Sequence, residues 1–394
     1  MSRSEPVRLP AHLYVHVPLC RSKCAYCDFY SLPLSSATEG TTAVANSLAA
    51  QALAWLDRDV APRPLRSVYI GGGTPSVLGA DLARLVEVLT SSFPLEPDVE
   101  VTIEANPESL DRNLVEALAR AGVTRVSLGA QSLDDTVLAF LERPHDAAAV
   151  RAAARAVHEA GLALSLDLIC GIPGQTAQSW IDTVNGAINL GPEHVSVYPL
   201  SIEAGTPLAA AVAIGDVQEP DPDVAADMML LAQHVLGQAG LERYEVANYA
   251  RRGAESRHNT AYWTGMPYLG VGPGAHGMLD VETAAAVGFV SARTPGVARL
   301  RYAVACDLSA GLTPMPRVDT ESLSRVEAAR EDVMLGLRLV RGVHEEDIVA
   351  AGVASVIDGL AEDGLVELVD HRWRTTERGW LLGNEVFGAV WAGE

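Results

Sequence analysis

Positive charge is scarce in this chain: 29 lysines and arginines stand against 50 aspartates and glutamates, a net charge of −21. That balance argues against non-specific binding to DNA, RNA or anionic lipid, which depends on clustered Lys and Arg. Long apolar runs are missing as well. Nothing approaches the roughly eighteen consecutive apolar residues that a membrane-spanning helix needs. The opening segment "MSRSEPVRLPAHLYV" has no uninterrupted apolar core followed by a small-residue cleavage site. The expectation is a protein of the reducing cytoplasm. Cysteine is sparse too. Five in 394 residues is an odd number, in a chain long enough to bury its core without staples, so a disulfide framework is disfavoured. What is present, 48% apolar and 20% charged residues, is the composition of a soluble globular protein of two or three domains.

Three of the cysteines fall together. Cys20, Cys24 and Cys27 form C-x3-C-x2-C within "HVPLCRSKCAYCDFY". Three thiolates can hold three irons of a [4Fe–4S] cluster and leave the fourth open to a ligand, whereas four would close the cluster and suit it mainly to electron transfer. Zinc is the alternative, with His12 or His16 completing a Cys3His set, although no second paired knuckle accompanies it. Cys170 and Cys306, far apart in apolar surroundings, read as ordinary buried thiols.

From residue 11 to 246 short β-rich runs alternate with helical stretches: 13–17, 67–71, 99–105, 124–130, 162–169 and 194–200. Most are nearly continuous in apolar residues, as strands buried on both faces would be, and the segments between them are long enough for crossover helices. Ala121-Gly122, Ala160-Gly161 and Ala239-Gly240 each read as a helix end with a left-handed glycine. About six such units predict an α/β fold with a complete or partial (β/α)6 barrel, whose functional groups belong at the C-terminal ends of the strands. Cys20, "GGGTP" (71–75), Glu104, Gln131 and Asp167 all fall there. Each alone is more often structural: a tight turn, a loop cap, a hydrogen-bonded buried acid.

The remaining organisation is a lead at 1–10, a connecting region at 247–314 that carries "HNTAYW", and a C-terminal unit at 315–394 whose two helical stretches and hairpin predict a winged-helix-like domain. The acidic run "DGLAEDGLVELVD" disfavours nucleic acid as its partner, and a lid or docking role is preferred.

Cys20-x3-Cys24-x-Tyr26-Cys27, "GGGTPS", "EANP", "GAQS" and "SLDLICGIPGQT", in this order, resemble the radical S-adenosylmethionine (SAM) proteins, in particular the oxygen-independent coproporphyrinogen III oxidase-like group. "CDFYS" and "HNTAYWTGMPYLGVGPGAHG" (258–277) are similar to the heme chaperones of that group. The resemblance implies that Cys20, Cys24 and Cys27 bind the cluster and that SAM chelates its open iron. Reduction could then cleave the sulfonium to a deoxyadenosyl radical, chemistry that the protein only positions. It also implies Tyr26 beside the adenine, Gly72, Gly73 and Thr74 near the methionine end, and Tyr14, Glu104, Gln131, Arg143 and Asp167 on the polar groups of SAM.

Oxidases of the group carry a further cysteine two residues after the third cluster ligand. Phe29 stands there in this chain. The departure favours heme binding, with delivery to respiratory proteins that include membrane-bound ones, over decarboxylation of coproporphyrinogen. Imidazole is a common axial ligand of heme iron. His258 is the leading candidate, with Tyr262 and Trp263 offering flat apolar surface; a hydrogen-bonded histidine at the junction of barrel and tail is the equal alternative. His276 and His145 follow.

Overall fold

Six parallel strands, each followed by a helix, build the frame: β1 (His12–Val17), β2 (Leu65–Gly72), β3 (Leu95–Ala105), β4 (Arg125–Gln131), β5 (Ala163–Cys170) and β6 (His194–Pro199). The longer helices between and after them are α1 (Gly40–Leu53), α2 (Ala80–Ser92), α3 (Arg112–Ala121), α4 (Ala147–Glu159), α5 (Ala177–Asn189) and α6 (Pro222–Gln238). This computed structural model describes residues 7–36, 40–290, 296–305 and 316–393, so Cys306 lies outside the described residues. The glycines expected to end helices are left-handed, with φ of 103° at Gly122 and 73° at Gly161, where a side chain would be strained.

The sheet continues past residue 246. β7 (Glu242–Arg243) and β8 (Asn248–Ala250) add antiparallel beside β6, and β9 (Leu269–Val271) adds parallel beside β1, giving the order β9-β1-β2-β3-β4-β5-β6-β8-β7. Its two edges are not paired with each other among the described residues, so the α/β barrel is partial.

The strands are not apolar on both faces. Val126, Leu128, Leu164, Leu166, Val195 and Val197 are fully buried under the helices. The alternate positions Ser127, Ser165, Asp167 and Ser196 face a cavity instead. A side-chain period of two places every second residue inward, and here those inward residues are polar.

α7 (Arg257–Trp263) carries "HNTAYW" and closes the end where the strands begin. Glu100, near the middle of β3, accepts from the backbone N–H groups of Arg257 (3.0 Å) and His258 (3.1 Å) and from the Arg125 guanidinium (3.1 Å). The C-terminal unit has its own apolar core, including Val333, Ile357 and Phe387, and a three-stranded antiparallel sheet. It grips the barrel through the loop joining β7 and β8. Trp380 Nε1 donates to the Val246 carbonyl at 2.7 Å, and the Arg243 guanidinium lies 4.1 Å from the Trp380 ring centroid. Among the described residues, no helix is long and apolar enough to cross a membrane.

Candidate functional site

The inward polar positions and the loop after β1 enclose a cavity of about 540 Å³ that opens at the C-terminal ends of the strands. The loop is held at both ends: Leu19–Cys20 pairs with Leu32–Pro33, and the Leu32 N–H donates to Pro18 O at 2.9 Å. Its middle turns where the Cys27 N–H meets Cys24 O, and it is covered where the Leu208 N–H donates to Ala25 O. Cys20, Cys24 and Cys27, all free thiols, line the cavity mouth.

Two of the sulfurs join one hydrogen-bond chain. Arg143 Nη1 donates to Cys24 Sγ (3.2 Å) and Nη2 to Asn106 Oδ1 (2.6 Å). Asn106 Nδ2 in turn donates to Thr74 Oγ1 (3.1 Å), whose hydroxyl donates to Cys20 Sγ (3.5 Å). Among the described residues no three His, Cys, Asp or Glu side chains are grouped to hold a metal ion. Three free thiols at one mouth, two of them accepting hydrogen bonds, suit an iron–sulfur cluster, whose potential such bonds tune. The glycine run is packed tightly here. A Cβ on Gly73 would stand 2.5 Å from the Leu19 carbonyl oxygen and 3.1 Å from Cys20 Sγ, and Gly72 has φ of 111°.

Deeper in, Glu104 accepts from the Tyr69 hydroxyl (2.8 Å) and the Gly72 N–H (3.0 Å). Asp167 accepts from Ser196 (2.7 Å) and Ser127 (3.0 Å). Gln131, at the end of β4 with φ of 63°, and Tyr26 also line the space. Three lining groups, Arg143 Nε, Arg125 Nε and Thr102 Oγ1, are buried without a hydrogen-bond partner, which leaves donors for a polar ligand. A zwitterionic nucleoside such as SAM fits this set of carboxylates, hydroxyls and guanidinium.

The cavity therefore gathers Cys20, Cys24, Cys27, Tyr26, Gly72, Gly73, Thr74, Glu104, Gln131, Arg143 and Asp167, but not Tyr14 or His258. Tyr14 bonds His16 Nδ1 (3.0 Å) and stacks on Tyr69, and it is Tyr69 that reaches the cavity. His258 lies at the closed end of the barrel, opposite the cysteines. Its Nδ1 meets Ser67 Oγ and its Nε2 meets the Tyr262 hydroxyl, both at 2.8 Å. Neither nitrogen is open to a heme iron in this structure, and Tyr262 is spent on the same bond. His145 is similarly engaged by Glu108 and the Ala130 carbonyl, whereas His276 is exposed. Tyr69, Ser127, Ser196 and Tyr198 are cavity residues that no motif marks, and Asn106 lies within "EANP" without having been singled out; the polar alternation of their strands is the signal for most of the others.

Residues 14–186 match the Radical SAM superfamily, and residues 323–382 match the HemN C-terminal domain. The chain is 37% identical over 396 residues to the heme chaperone HemW of Mycobacterium tuberculosis (strain ATCC 25618 / H37Rv), with 98% of each chain covered. The chain belongs to the HemW family. Its identity to the Escherichia coli (strain K12) heme chaperone HemW is 32% over 393 residues, covering 96% of this chain and 97% of that one. The solved structure of the E. coli coproporphyrinogen III oxidase HemN, a radical SAM enzyme, has a TM-score of 0.76 at 22% identity and covers 98% of this chain and 90% of that one. That likeness establishes the fold of this HemW-family chain.

Burial, opposed by the Tyr69 bond and reinforced by Asp167, pushes Glu104 up from its ordinary 4.5 to about 7. An acid raised in the fold favours its neutral form. Its stabilising contribution is full below pH 4.5 and is lost as pH rises through about 7. Thermal melts of the ligand-free protein across this range should show that loss. Glu104→Gln should flatten the pH dependence, and an unchanged slope would count against the assignment.

Proposed function

We propose that this HemW-family protein is a heme chaperone that carries a [4Fe–4S] cluster on Cys20, Cys24 and Cys27, binds SAM in the barrel cavity and delivers heme to respiratory proteins. The observation that carries the reading is the single cavity on which three free thiols, the glycine run and unpartnered polar donors converge, in a chain whose full-length relatives are named heme chaperones. When bound, a cluster with one open iron supplies an electron to a chelated sulfonium. The residues of the chain supply the rest. Arg143 and Thr74 orient two thiols, Glu104 and Asp167 offer carboxylates to amine or ribose hydroxyls, and the tight approach at Gly73 keeps the loop against the strand end.

Phe29 at the cavity mouth favours carrying heme over oxidising a porphyrinogen, because the oxidases of the wider group that the sequence resembles have a cysteine there. The test is hemin titration of the anaerobically reconstituted protein, with and without SAM, followed by mixing with an apo-cytochrome acceptor. Saturable binding and transfer to the acceptor are expected, with no protoporphyrinogen formed from coproporphyrinogen when SAM and a reductant are supplied. Efficient protoporphyrinogen formation, or failure to bind hemin, would overturn the reading.

A further inference from the structure

Lys23 is the only lysine of the chain, and it stands on the cysteine loop at the mouth of the cavity. It is exposed and makes no ion pair or hydrogen bond with the described residues. In a protein of net charge −21 no carboxylate among the described residues is paired with it, although its charge acts on the nearby Cys27 thiol. The other two cations lining the cavity are engaged, Arg143 with Cys24 and Asn106, and Arg125 with Glu100.

The same mouth carries apolar surface. Phe29 is 62% exposed and Tyr198 43%, more than any other Phe, Tyr or Trp among the described residues, and the exposed Pro199 follows Tyr198 on the cavity wall. Scattered exposed side chains mean little, but an apolar set on one rim marks a binding surface.

We propose that this rim is the seat of heme: the macrocycle lies against Phe29 and the Tyr198 side of the mouth, and a propionate pairs with Lys23. The proposal rests on the heme-chaperone reading and gives it a location. A flat, largely apolar disc with a charged edge needs aromatic surface beside an anion-binding group, and the rim supplies both. The barrel interior suits it poorly. That space is walled by Glu104, Ser127, Asp167 and Ser196, and about 540 Å³ is the volume that a single drug-sized ligand fills. The buried His258 and His145 offer no open nitrogen. Asp28 is the acid of the loop itself on this rim, and it directs the propionates to the Lys23 side.

A single lysine makes the test direct, since an amine-selective acetylating reagent can modify only Lys23 and the N-terminal amine. The reconstituted full-length protein, loaded with SAM, is acetylated with and without hemin, and both sites are followed by mass spectrometry. With hemin at ten times its dissociation constant the free fraction is about one in eleven, so Lys23 should react about tenfold more slowly while the N-terminal amine is unaffected. Phe29→Ser should weaken hemin binding about tenfold, as expected for losing a half-buried aromatic contact. Lys23→Gln should weaken it about two- to fivefold, as for an exposed charge pair. Hemin that binds without protecting Lys23, with unchanged affinity in the Phe29→Ser protein, would overturn the seat and leave the chaperone reading standing. Absence of hemin binding in the unmodified protein would overturn both.

Discussion

Cys24→Ser is expected to abolish iron and acid-labile sulfide after anaerobic reconstitution, together with the visible absorption of the cluster, while far-UV circular dichroism stays unchanged. A serine hydroxyl does not ionise near neutral pH and makes a poor iron ligand, and two remaining thiols cannot hold the cluster. The fold should tolerate the change. Cys24 is only half-buried on a loop, and its contact with Arg143 is one of three that the guanidinium makes; surface changes of this kind stay within about 0.5 kcal/mol. Cys170→Ala is the control. That thiol is fully buried in β5 and burial pushes it up to about 12, so its removal should leave the cluster content untouched. Full cluster content in the Cys24→Ser protein, or zinc without sulfide in the unmodified one, would overturn the ligand assignment.

The cysteine loop, the glycine run and the six strands of the βα pattern were legible because each depends on local chemistry: spacing of thiols, absence of side chains, apolar runs of strand length. The closed end of the barrel was not. His258 in "HNTAYW" read equally as a heme ligand and as a hydrogen-bonded histidine, because the partners that engage it come from far away in sequence, Ser67 on β2 and, for its backbone, Glu100 on β3. No spacing rule joins residues 158 positions apart. The inner wall lay between these cases. Its alternation was visible in the sequence, at Ser127, Gly129 and Gln131 and again at Ser165, Asp167 and Ile169, but the intervening Val and Leu made the strands read as apolar throughout. Tyr198 and Phe29 become interpretable only when β6 and the cysteine loop are seen to share one mouth.

That closed end carries the second large effect. Glu100→Ala should destabilise the protein by about 3–5 kcal/mol, the usual result of stripping one partner from a buried ion pair. It would leave Arg125, 8% exposed, without its carboxylate, and deprive the Arg257 and His258 N–H groups and the Ser256 hydroxyl of an acceptor. Glu100→Gln keeps an acceptor and should recover part of the loss. Denaturant titration reads this as a lower midpoint at unchanged slope. The pH dependence separates a loosened end from a general loss of packing. Burial, with His12 adding to it, lowers His258 from 6.5 to about 3. The unfolded chain therefore takes up this proton as pH falls below 6.5 while the fold does not, and the fold loses stability toward about 3. If Glu100→Ala opens the end and lets His258 protonate in place, the folded variant recovers that proton. Its deficit against the unmodified protein should then be largest above pH 6.5 and shrink as the solution is acidified. A deficit constant from pH 8 to 5 would mean that Glu100 holds Arg125 and α7 in place without sealing His258 from water.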